Sequence, residues 1–86
     1  MITQSQIALY RSIKQLDWFT NATLVEESGV SRPVVAQFTR LLSQHQVLER
    51  IDLKPAPLFR LSDTDVSEPG KQLLEELEQA LLAVAS

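Results

Sequence analysis

The hydrophobic positions change their spacing several times along the chain, and each change marks an element. In residues 3–16, Leu9, Tyr10, Ile13 and Leu16 recur at helical intervals. This predicts a first helix, capped by Thr3 or Ser5, with Arg11 and Lys14 on its outer side. Trp18 and Phe19 follow in a short connector. They read as core or interface residues, in a segment placed to form a brief strand against a later hairpin. A second, short helix is expected from a Thr20 or Asn21 cap to Ser28, turning Ala22, Leu24 and Val25 inward, with Glu26 and Glu27 exposed and Val30 plugging the turn. Gly29 ends it, because glycine takes positive φ without a Cβ penalty.

Residues 32–45 form the most two-faced segment. At about 100° per residue, Val34, Val35, Phe38, Leu41, Leu42 and His45 fall in one arc. His45, lying there, reads as a hydrogen-bonded structural residue. Ser31 stands at the N-cap, where a hydroxyl can accept a bond from an open amide, and Pro33 occupies the first turn, where a missing amide hydrogen matters least. The period then shifts to near alternation in residues 47–53, and again more briefly in 58–61. Lys54-Pro55-Ala56-Pro57 lies between them and cannot continue a ladder, so the two runs predict a β-hairpin. Residues 62–67 are a polar connector. Ser67 can cap a last helix with Pro69 in its first turn. Along it Leu74, Leu77, Leu81 and Val84 recur at three, four and three, widened by Leu73, Ala80 and Leu82. Two heptads are too short for a free-standing coiled coil, so the expectation is that this seam packs against a second copy rather than folding back. The chain accordingly divides into a domain at 1–66 and a dimerisation helix at 67–86.

The outer arc of the 32–45 helix carries Arg32, Pro33, Ala36, Gln37, Thr39, Arg40, Ser43 and Gln44. From Ser28 to Leu48 the chain runs 21 residues without an acid, although the protein's net charge is −3. A merely solvated face in an acidic protein would carry some Glu or Asp. Guanidinium and amide groups are instead the types that reach guanine and adenine edges in the major groove. The pI near 5.0 speaks against nucleic acid only until the charge is divided. Residues 1–61 hold seven Lys or Arg against five acids, a net of +2, while residues 62–86 hold Lys71 against six acids, a net of −5. The acidity belongs to the C-terminal segment.

Composition narrows the remaining classes. The chain has no cysteine and one histidine, which leaves no disulfide, thiolate zinc site or clustered metal sensor. No apolar run reaches membrane-spanning length and no signal sequence opens the chain, so a cytoplasmic location is expected, without membrane association. With two glycines there is no glycine-rich phosphate loop. No paired-carboxylate spacing or strand–turn–helix nucleophile setting suggests an enzyme, and no cofactor is implied.

The order helix, short strand, helix, turn, helix, hairpin, helix resembles the winged helix-turn-helix fold. "LVEESGVSRPVVAQFTRLLSQHQVLER" is similar to the motif region of bacterial regulators of the MarR, ArsR and HxlR types, through Gly29, Val30, Ser31, Leu42 and Val47-Leu48-Glu49-Arg50. "FRLSDTDVSEPGKQLLEEL" resembles their return strand and the start of their final helix at Gly70, Leu73 and Leu74. Two departures stand out. Gln46 occupies a place where these families often have glycine, and the hairpin tip reads KPAP in place of an Arg- and Asp-rich run.

The resemblance and the outer arc together imply a mainly α fold with a small β-hairpin, a winged helix-turn-helix of order α-β-α-α-β-β-α. The expected function is sequence-specific binding of double-stranded DNA by a homodimeric transcriptional regulator, acting as a repressor because no extra domain is present to recruit polymerase. Arg32, Gln37 and Arg40 are the candidates for base contact, with Pro33 on the same surface. Ser31, Thr39, Ser43 and Gln44 suit phosphates, and Arg50, Lys54 and Arg60 suit the flanking backbone. Leu74, Leu77, Leu81 and Val84 are the expected dimer seam. The competing readings are a winged-helix protein-interaction module using Trp18, Phe19 and the leucine seam, and a DNA-binding accessory factor of a mobile element, for replication, partition or excision.

Overall fold

Helix boundaries follow the predicted caps closely in a computed structural model, which describes residues 2–62 and 66–85. Residues 63–65 of the expected connector lie outside the described residues. α1 (Gln4–Gln15) opens on Thr3, whose hydroxyl accepts from the Gln6 amide at 3.1 Å while the Gln6 side chain accepts from the Thr3 amide at 3.0 Å. This reciprocal pair satisfies two donors. α2 (Asn21–Ser28) opens on Thr20, which accepts from the Thr23 amide at 3.1 Å, and closes on Gly29 at φ 72°. α3 (Arg32–Gln44) begins after Ser31, whose backbone is extended as an N-cap requires. Its hydroxyl nevertheless makes no cap bond. The expected Ser31 cap bond is therefore absent, and Pro33, having no amide hydrogen, reduces the need for one.

β1 (Leu48–Ile51) and β2 (Leu58–Leu61) pair antiparallel from Leu48↔Leu61 to Ile51↔Leu58. The brief strand expected near Phe19 is a single bridge. Phe19 and Phe59 exchange amide–carbonyl bonds of 2.9 and 2.8 Å, and their ring centroids lie 6.0 Å apart. Gln46 adopts φ 61°, so it turns the chain into the wing as the families' glycine would. The amide of the next residue, Val47, then reaches back to the Leu42 carbonyl at 2.8 Å.

One core joins these elements: Leu9, Tyr10 and Ile13 of α1, Phe19, Leu24 of α2, Val35, Phe38 and Leu42 of α3, Val47, Leu48 and Phe59 of the hairpin, and Leu77 of α4 (Glu68–Ala85). Ala22, expected inside, is exposed. α2 is short and rests on the core through Leu24, with Val25 half-buried, so a side chain two positions before Leu24 points away.

The last helix differs most from expectation. Leu77 has no exposed surface, and Leu73, Leu74 and Leu81 pack half-buried against the same core. Leu77 is therefore spent on its own chain and is not available to a partner, which corrects its assignment to a dimer seam. Polar contacts fix the same docking. Glu78 accepts a 2.5 Å bond from the Tyr10 hydroxyl and a 2.7 Å bond from Lys14 Nζ. At the helix start, Ser67 Oγ accepts from the Gly70 amide at 3.1 Å and donates to the His45 carbonyl at 2.8 Å. Among the described residues, Val84 and Leu82, at 47% and 59% exposure, are exposed large apolar side chains towards the far end of the helix. The whole arrangement is a winged helix-turn-helix, with α2 and α3 as the helix-turn-helix and the hairpin as the wing.

Candidate nucleic-acid interface

α3 is held to the domain by Val35, Phe38 and Leu42, all buried, and this sets which side faces out. Pro33, Gln37, Arg40 and Gln44, at intervals of four, three and four, form an exposed ridge, with Ser31 and Arg32 exposed at its N-terminal end. The helix contains no acid, and among the described residues no ion pair involves Arg32 or Arg40. Their charge is thus directed outward and uncompensated by a contacting carboxylate. Gln37 also borders a cleft of about 440 Å³ between the start of α1 and α3, lined by Thr3, Ser5, Gln6, Val34, Phe38 and Leu41.

Thr39 is the residue of the predicted outer arc that the structure places elsewhere. It is 2% exposed, and its hydroxyl lies 3.0 Å from Asn21 Oδ1 and 3.2 Å from the Ala36 carbonyl. Its place as a surface contact is therefore corrected. Thr39 is four residues after Val35 and three before Leu42, so it borders the buried arc, and the start of α2 covers it. The hydroxyl ties α2 to α3 in place of meeting a ligand.

On the wing side of α3, a groove of about 150 Å³ is lined by Asn21, Ala36, Thr39, Arg40, Ser43, Arg50, Pro57 and Phe59. The hairpin register puts Arg50 opposite Phe59, on the face turned towards the domain. The Arg50 guanidinium carbon sits 5.9 Å from the Phe59 ring centroid. Ser43 Oγ is shielded from solvent and has no hydrogen-bond partner, a state that costs a buried hydroxyl roughly 1–3 kcal/mol. Asn21, expected only as a possible helix cap, enters this groove through tertiary packing. No local pattern in the sequence signals that.

The remaining wing cations are partly engaged. Arg60 Nε donates to Glu49 at 2.9 Å, its Nη1 lies 4.0 Å from Asp17, and its guanidinium stacks 4.5 Å from the Trp18 ring centroid. Arg50 Nε donates to Asp52 at 2.7 Å. Lys54 is exposed at the tip, beside Leu53 at 50% and near Ile51 at 42% exposure. The tip is therefore more apolar than basic. Among the described residues there is no cluster of His, Cys, Asp or Glu suited to a metal ion, and no helix is long and apolar enough to cross a membrane.

No protein-family model matches the sequence, and no curated protein matches it. Among solved structures the chain is similar to BpsR of Bordetella bronchiseptica, a protein whose DNA binding is regulated by 6-hydroxynicotinic acid. The TM-score is 0.66 at 14% identity, over 96% of this chain and 59% of BpsR. At that identity the likeness is one of fold, and the chain spans about three fifths of the length of BpsR.

Proposed function

We propose that this chain binds double-stranded DNA as a winged-helix transcriptional regulator, with α3 lying in the major groove. The observation that carries this reading is the exposed, acid-free ridge of α3, whose Arg32 and Arg40 have no carboxylate partner among the described residues. A fold shared with BpsR, for which DNA binding is named, supports it. Arg32, Gln37 and Arg40 are the proposed base-reading residues. Pro33 shapes the surface beside them, and Ser31 and Gln44 meet phosphates at the two ends of the helix. Sequence-specific repression by occlusion, in the cytoplasm, completes the proposal, with no catalytic step and no cofactor.

A homodimer remains part of this reading, in narrower form. With Leu77 committed to the core, a second copy would meet the far end of α4 around Val84, with Leu74 and Leu81 contributing only their exposed edges. Two copies of α3 would then read an inverted repeat about one helical turn apart.

The test is fluorescence anisotropy with selected duplexes over a salt series. DNA binding predicts affinity that falls linearly on a log–log plot as salt rises, through counterion release. Arg40→Ala should weaken binding to the selected site by about 1–3 kcal/mol if it contacts a base edge bidentately. Absence of any duplex affinity at roughly 50 mM salt would overturn the reading. That result would favour a protein-interaction module, to which the exposed Ile51 and Leu53 of the wing tip would then belong.

A further inference from the structure

We propose that the cleft between the start of α1 and α3 is a binding site for a small uncharged molecule of one or two rings with an amide-like polar edge, and that Gln37 is shared between this site and the DNA-facing ridge. The sharing of Gln37 rests on the DNA-binding reading, whereas the site itself rests on the geometry of the cleft.

The cleft encloses about 440 Å³, within the range of roughly 300–1,000 Å³ that small-molecule sites occupy. Its floor comes from one face of α3, where Val34, Phe38 and Leu41 follow at intervals of four and three. Phe38 belongs to the buried core, and Val34 packs half-buried against it. Leu41 is half-buried too, yet it is not among the residues packed on that core, so its apolar surface is left to the cleft. Thr3, Ser5 and Gln6 at the start of α1, with Gln37 of α3, supply the polar lining. Thr3 and Gln37 are exposed, which leaves the space open to solvent.

The polar lining is neutral. Thr3 Oγ1 and Gln6 Oε1 already accept backbone amides in the α1 cap, so Gln6 keeps Nε2 as a donor. The side chains of Ser5 and Gln37 make no hydrogen bond among the described residues, and the Gln37 carboxamide can both donate and accept. No charged residue lines the cleft among the described residues. An ion entering it would give up water without meeting a counter-charge, which is costly. The matching occupant is therefore uncharged, with its ring on Val34, Phe38 and Leu41 and an amide, lactam or phenol edge on Gln37 and Ser5. A second copy's wing tip matches less well, because Ile51 and Leu53 bring Arg50, Asp52 and Lys54 as immediate neighbours. The space of about 390 Å³ along α4 has no apolar floor, being lined by Gln72, Glu75, Glu76 and Gln79.

Gln37 gives the site its consequence. One carboxamide cannot offer the same donor and acceptor to a ligand edge and to a base edge, so an occupied cleft withdraws Gln37 from the duplex. The effect on DNA equals the loss of that one side chain and leaves the contacts of Arg32 and Arg40 in place.

Two measurements on the intact chain decide the matter. In the first, naphthamide and its isosteric anion naphthoate are titrated separately while amide and methyl NMR shifts are followed. Saturable naphthamide shifts confined to the surroundings of Ser5, Val34, Phe38 and Leu41 are expected, with naphthoate weaker by roughly tenfold or more. Gln37→Ala should weaken naphthamide by about two- to tenfold, the worth of one hydrogen-bonding group. Leu41→Asn, which puts an amide into the floor, should abolish saturable binding. If that variant fails to fold, Gln37→Ala carries the same test from an exposed position. In the second measurement, duplex affinity is compared with and without saturating naphthamide. The expected loss is about two- to tenfold, equal to that caused by Gln37→Ala, with no further loss when ligand is added to that variant.

Local shifts with unchanged duplex affinity would keep the site and overturn the sharing of Gln37. If the wild type binds no duplex, the DNA reading fails while the NMR titration still decides the cleft. Cleft shifts that arise on concentrating the protein alone would assign the space to a second copy and overturn the proposal. So would naphthamide shifts that are absent or scattered over the chain, or naphthoate binding as tightly as naphthamide.

Discussion

Gly70→Ala separates two opposing effects in the same helix. Replacing a helical glycine with alanine is ordinarily favourable by up to about 1 kcal/mol, because alanine loses less backbone entropy. At Gly70 the added Cβ would fall well inside van der Waals contact distance of the His45 carbonyl oxygen, and would stand 2.9 Å from Val66 Cγ1 and 3.1 Å from Ser67 Oγ. The first of these is backbone and cannot swing aside. The start of α4 must therefore move away from the end of α3, a shift of the overpacking kind that costs about 1–3 kcal/mol. The same movement strains the Ser67 bonds to His45 and Gly70, worth roughly 1 kcal/mol each. The penalties exceed the propensity gain, and the expected net loss is about 1–4 kcal/mol. For a domain of this size that lowers Tm by very roughly 4–30 °C. Gly29→Ala is the control. Nothing lies within 4 Å of its added Cβ, so only the cost of φ 72° applies, about 1–2 kcal/mol, and Gly29→Asn should recover part of it. Thermal and urea unfolding measure both. A Gly70→Ala protein as stable as wild type would refute the argument that α4 is seated through close contact with the His45 carbonyl.

Other perturbations test the remaining joints. Lys14 and Tyr10 hydrogen-bond the Glu78 carboxylate and hold its pKa below the ordinary value of 4.5. Its contribution to stability is therefore complete above that ordinary value and is lost as pH falls through the folded-state pKa. Urea unfolding from pH 6 to 3 should show a steeper acid loss for wild type than for Glu78→Gln, and parallel curves would dismiss the α1–α4 link. In the same cluster, burial first and the Glu78 carboxylate second push the Tyr10 phenol above its usual range, so spectrophotometric titration should find it protonated where a free tyrosine ionises. Thr39→Val keeps the volume and removes the hydroxyl that reaches Asn21, with an expected loss of about 1 kcal/mol. Unchanged calorimetric stability would mean that hydroxyl does not join α2 to α3. Leu77→Ala should cost about 2–5 kcal/mol as a core cavity, independent of protein concentration. A stability loss that disappears on dilution would restore Leu77 to a subunit interface.

What the sequence could reveal depended on whether the cause was local. Thr3, Thr20 and Gly29 act on amides and dihedrals within a few residues of themselves, and the helices they bound were legible from residue type and spacing. The inner side of α3 was legible for the same reason, since Val35, Phe38 and Leu42 repeat at the helix period. Thr39 and Leu77 were not, because periodicity reports that a side chain lies on a face but not which element covers it. A threonine at the edge of the apolar arc reads as outward until α2 is seen to pack over it through Asn21. A leucine seam reads alike whether it meets a second chain or α1, and the deciding contacts are the Tyr10 and Lys14 bonds to Glu78, 68 and 64 residues apart in sequence. The division of labour among cations has the same origin. Arg40 and Arg60 are equivalent as charges in a sequence, yet the fold gives Arg60 a carboxylate and an indole and leaves Arg40 facing the groove. Net charge per segment therefore located the candidate surface, while pairing within the fold selected which of its cations can meet an anion.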